Sequence, residues 1–135
     1  MPNQLPQVTR SVRASEASPQ ETADYYKLCF LTTSGIDDAI SILNVRKVNP
    51  STSANELRLI DFELGDQIAK KARIFALMNA FSANQRAMKP PTAEMLASAA
   101  KLAKVLDEMI AANVIASQAV VTSTQLFKIW RETEG

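Results

Sequence analysis

The chain contains no histidine and a single cysteine, Cys29. An internal disulfide framework, a zinc knuckle and Ser-His-Asp or Cys-His nucleophilic machinery are therefore excluded. Glycine is nearly as scarce, with only Gly35, Gly65 and Gly135. They stand too far apart for a phosphate-cradling loop, and no G-K-[ST] occurs. The di-iron pattern of helical bundles needs Glu-x-x-His, and the EF-hand loop pattern is missing, so no metal or cofactor is expected. Neither sign of charge dominates: 15 Lys and Arg against 14 Asp and Glu leave a net +1, too little to steer an acidic partner. No uninterrupted apolar run approaches the ~18 residues of a membrane span. Residues 1–18 carry Pro2, Pro6, Arg10 and Arg13 in place of the apolar stretch of a Sec-type signal peptide. The expectation is a cytoplasmic protein, or one exported or assembled by a route without such a peptide.

A length of 135 residues argues for one domain, and a hydrophobic fraction of 47% is enough to build its core. Twenty alanines against three glycines lean towards helix before any pattern is read. Residues 1–18 read as a flexible tail and 19–135 as a single helical domain. Ser18-Pro19-Gln20-Glu21 is a helix start with a capping box. Thr32-Thr33-Ser34-Gly35 then reads as an interruption, with Ser34 and Asp37 as a second cap. A loop follows around Asn44 to Pro50, with a brief extended piece at Val45 to Val48. Ser53-Ala54-Asn55-Glu56 opens the longest helix as another capping box. That helix carries a stripe of Leu57, Ile60, Leu64, Ile68, Ala72 and Phe75 and ends near Met88, with Gly65 as a possible kink.

Lys89-Pro90-Pro91-Thr92 must end it, since neither proline can continue the helix. Residues 66–88 and 93–115 give two helices of equal length, each about 35 Å, joined as an αα-hairpin. Asn113 marks a break after them. The final stretch, 117–134, reads as a helix, although Val120-Val121-Thr122 is β-branched and could be extended. The expected fold is all-α: a helical bundle of four to five helices built around a long central αα-hairpin.

Cys29, in the apolar run Leu28 to Leu31, reads as core rather than as a reactive thiol. Tyr25 or Tyr26 reads as core as well. The carboxylates Asp37 and Asp38, and Glu56, Asp61, Glu63 and Asp66, suit solvated helix faces better than a general acid/base pair. No catalytic residue is assigned, and the protein is not expected to be an enzyme.

Between Ile68 and Phe81 the long helix is apolar on more than one face, which a surface helix would not be. Either it lies at the centre of a bundle or it offers a second face to another chain. The leading expectation is a helical interaction or self-assembly module, with protein partners that include its own copy. Its contact residues would be Phe75, Leu77, Met78, Phe81 and Trp130. The first alternative is a small helical nucleic-acid-binding protein using Lys70, Lys71, Arg73, Lys101 and Lys104. A bundle holding a ligand in an apolar pocket between helices is the second alternative.

Overall fold

Ser18 begins the first helix as its spacing requires. Its hydroxyl accepts from the Glu21 N–H at 3.0 Å, and the Glu21 carboxylate accepts from the Ser18 N–H at 2.9 Å. In the computed structural model, which describes residues 10–134, four helices follow: α1 Pro19–Lys47, α2 Ala54–Ser82, α3 Ala93–Met109 and α4 Ala116–Arg131. The chain is an all-α bundle. α1 touches all three other helices, α4 packs on α3, and α2 meets α4 more lightly.

The central element is therefore α1, not a hairpin of the later helices. Helices α2 and α3 follow one another but are not neighbours, because α1 and α4 stand between them. The expected equal hairpin fails at its ends too. α2 stops at Ser82, where Asn84 takes a left-handed φ of 58° and its N–H donates to Phe81 O. Asn is among the few residues that adopt this conformation at low cost, and it closes a helix as glycine would. Asn113, with φ 50°, lies in the α3–α4 link, where a break was expected. α3, however, ends earlier, at Met109.

α1 runs unbroken through the polar stretch that suggested an interruption. Thr32 donates its hydroxyl to Leu28 O at 2.7 Å and Thr33 to Phe30 O at 3.2 Å, so buried hydroxyls are satisfied within the helix. Ser34 caps nothing, and Val45 to Lys47 are helical. Gly35 serves packing: a Cβ there would overlap the Leu126 side chain and meet Leu106 Cδ1 at 3.2 Å. By length and composition α1 is the one described helix apolar enough to cross a membrane, a property that core helices share. Half of its apolar stretch is buried against the three neighbours. α4 is helical throughout its β-branched stretch, where Thr122 donates to Gln118 O at 2.9 Å.

Of the stretch expected as a tail, residues 1–9 lie outside the described residues, and 10–17 are docked on the bundle. Val12 is buried and pairs with Met88 through N–H···O bonds of 2.8 and 2.9 Å. On its other side Met88 bridges Glu134, and Lys89 N–H donates to Thr133 O at 2.8 Å. Ser15 N–H donates to Asn84 Oδ1 at 3.1 Å. The start of the described chain, its end and the α2–α3 link are thus tied together.

α2 runs unbroken through Gly65, and a Cβ built there meets nothing within 4 Å. Gly65→Ala is expected to raise monomer stability by about 1 kcal/mol through helix propensity alone. Urea unfolding of the two proteins checks this: an unchanged or lowered midpoint would mean that the position is not open.

Candidate functional site

α2 buries a side that its sequence disguises. Ile60, Glu63, Gln67, Ile74, Met78 and Phe81 face inward. Two of those six are polar, and they meet α4 through Gln67, which donates to Ser123 Oγ at 3.0 Å and to Glu63 Oε1 at 3.5 Å. On the opposite side stand Phe62, Ile68 and Phe75, with relative exposures of 68%, 59% and 37%. Gly65, Ala69, Ala72 and Ala76 lie between them and are also exposed. Patterning is thus inverted over two turns, with carboxylate and amide inside and aromatic and aliphatic groups outside. Isolated exposed apolar residues are ordinary, but several along one helix side form a contiguous patch of the kind used for contacts.

The residues expected at the contact are divided by the structure. Phe75 is at the surface, with Lys71 Nζ 5.9 Å from its ring centroid. Leu77 is half-buried and packs against the main core. Met78, Phe81 and Trp130 are buried: Phe81 meets the Tyr25 ring edge-on at 5.0 Å, and Trp130 stacks on Phe127 at 5.4 Å. Phe62 and Ile68 were not among the expected contact residues, although 68 shares a helix side with 75. The misleading signal was the stripe from Leu57 to Phe75, which skirts the buried side instead of running along it.

The cations of the nucleic-acid reading are not brought together. Lys70, Lys71 and Arg73 are on α2, and Lys101 and Lys104 are on α3, which does not touch it. Each of these three α2 cations is held by a carboxylate. Lys70 pairs with Asp66 at 3.1 Å and Lys71 with Asp37 at 2.6 Å, while Arg73 grips Glu134 with two bonds of 2.8 and 2.9 Å. For the ligand reading, a cleft of about 480 Å³ opens where Lys89, Pro90 and Met95 face Arg131 and Glu132, at the edge of the bundle.

Other titratable groups serve the frame. Burial pushes the Cys29 thiol up to about 11, and Tyr25 beside it is raised as well, so neither ionises near neutrality. Glu56 does not complete the capping box expected at Ser53. Ser53 accepts from Glu56 N–H at 3.1 Å, but the carboxylate turns to Arg46, at 2.7 and 3.0 Å, and to Ala116 N–H at 2.8 Å. One side chain thereby joins α1, α2 and α4. The Arg46 guanidinium and the Ala116 amide hold Glu56 below the usual glutamate range, and Arg73 does the same for Glu134.

A carboxylate depressed on folding stabilises the fold above its unfolded value, about 4.5 here, and the gain is lost as pH falls through the lower folded value. The urea midpoint is therefore expected to decline on acidification below about pH 4.5. Glu56→Gln should lower the midpoint at pH 7 and flatten the decline, and adding Glu134→Gln should flatten it further. An acid limb of unchanged slope in the double variant would show that other groups drive it.

Among the described residues the fold is thus an all-α bundle of four helices; the outer half of α2 exposes Phe62, Ile68 and Phe75, and other large apolar groups, among them Phe30, Val45, Val48 and Ile110, are exposed elsewhere. In comparisons with known proteins, no protein-family model, no curated protein and no solved structure matches the chain.

Proposed function

We propose that this protein is a non-enzymatic interaction module that receives a helix on the outer side of α2. The observation that carries the reading is the exposure of Ile68 and Phe75 on one side of α2, with Phe62, also exposed, about 120–140° round the helix from them. A helix laid along the Gly65, Ala69 and Ala72 strip would be flanked by Phe62 on one side and by Ile68 and Phe75 on the other, and burying each large side chain contributes roughly 1.5–3 kcal/mol before ordering costs. The small residues between them leave room for a second backbone to approach closely. The non-enzymatic part is supported by how the carboxylates are used. Asp37, Glu56, Asp61, Asp66 and Glu134 each hold a cation in an ion pair, whereas Asp38, its pKa raised by burial and by its neighbours Asp107 and Asp37, is the exception to this pattern.

The test is photo-crosslinking in the producing cells, with a benzophenone amino acid placed at Ile68 or at Lys101 on α3. The expected result is a discrete protein adduct from position 68 and none from 101. Equal yields from both positions, or none from 68, would remove the docking face.

A further inference from the structure

We propose that the occupant of this face is a second copy of the chain, laid antiparallel on α2 about a two-fold axis near Ala69. The inference rests on the docking reading above and adds the identity and direction of the partner. Arg58, Phe62, Gly65, Ala69, Ala72 and Ala76 recur at alternating steps of four and three, and all are exposed. That is the spacing along which two helices pair. The seam is unequal at its ends: Phe62 is bulky and mostly exposed, whereas Ala72 and Ala76 offer only methyl groups. A two-fold turn about Ala69 lays Phe62 over the partner's Ala76 and brings Gly65 to the partner's Ala72, where the missing Cβ leaves open space. A two-fold contact uses one patch twice, so one end of the patch must fit the other. This seam meets that condition, and a foreign helix would not require it.

Charge points the same way. Asp66 and Arg73 lie on the same flank of the seam, and their side chains are 39% and 52% exposed. In the antiparallel arrangement Asp66 faces the partner's Arg73, and Arg73 faces the partner's Asp66. Their present partners, Lys70 and Glu134, remain within the same network. A parallel arrangement would instead set Asp61 against the partner's Asp66 and Arg58 against the partner's Arg58, which repels, and would leave Arg73 without a carboxylate opposite. Three large side chains on one helix make a small contact, so the dimer is expected to be reversible rather than obligate.

Two measurements on the full chain test the proposal. Light scattering behind size exclusion, over a range of concentrations, is expected to show a monomer–dimer equilibrium. Ile68→Asp should weaken it at least tenfold, with unchanged far-ultraviolet circular dichroism. Direction is read from disulfides formed under mild oxidation, with the wild-type chain, whose Cys29 is buried, as the background. Ala69→Cys should link to itself. Phe62→Cys alone should not, because the antiparallel turn leaves its two copies about 20 Å apart, beyond the reach of a disulfide. A mixture of Phe62→Cys and Ala76→Cys chains should link. A disulfide between two Phe62→Cys chains overturns the antiparallel arrangement. A monomer at every concentration overturns the second copy as partner; if position 68 still yields a discrete heterologous adduct, the docking face survives that failure. Absence of both dimer and adduct removes the two readings together.

Discussion

Trp130→Ala is expected to destabilise the protein by about 3–5 kcal/mol. The indole is fully buried on α4, stacks on Phe127 and lies beside the Cys29 thiol in the main core. Truncation removes the largest side chain there and leaves a cavity that three packed helices cannot close without moving. Against a total stability of about 5–15 kcal/mol for a domain of this kind, much of the margin disappears. Urea unfolding followed by circular dichroism gives the value, with an unchanged dependence on denaturant as the sign that only stability moved. Fluorescence cannot be used for the variant, because Trp130 is the only tryptophan. A loss below about 1 kcal/mol would place the ring outside the core. Trp130→Phe should cost much less.

The second large effect is at Gly35. Gly35→Val is expected to cost about 2–3 kcal/mol although valine is the better helix residue. The added carbons enter space held by Leu126 and Leu106, both fully buried, so neither side chain can swing into solvent. Gly35→Ala should fall between, since overpacking opposes a propensity gain of about 1 kcal/mol. Pairing Gly35→Val with Leu126→Ala separates the causes: if steric conflict dominates, the double variant loses less than the sum of the two single losses. Additive losses would point to the helix backbone instead. The opposite sign expected at Gly65 makes the two glycines an internal comparison.

The helices and their starts were legible because capping is local. Ser18 with Glu21 lies within four residues, and the Pro90-Pro91 break needs no tertiary knowledge. Helix ends were less so, since Asn84 as a stop is weaker punctuation than the prolines six residues on. The Thr32–Gly35 stretch misled for a tertiary reason. Its hydroxyls bond within the helix, and its glycine lets α3 and α4 approach, and neither fact leaves a local trace. The same holds for the candidate surface. With Glu63 and Gln67 inside and Phe62 and Ile68 outside, hydrophobic periodicity follows the wrong side of α2, and only the position of α4 and Ser123 reverses it. Trp130 and Phe81 have the composition of contact anchors, yet buried aromatic groups in a core look the same in sequence.

α2 is held in an unusual way. Near its first turn Glu56 bonds to Arg46 and Ala116, and towards its other end Arg73 bonds to Glu134 while Asn84 accepts from Ser15. Between these anchorages it rests on α1 and only lightly on α4. Mechanically it is a beam of about 43 Å supported near both ends, with its mid-span free on the outer side. With both ends tied and Gln67 and Lys71 bonded at mid-span, the least packed helix can present an apolar side to solvent without coming loose.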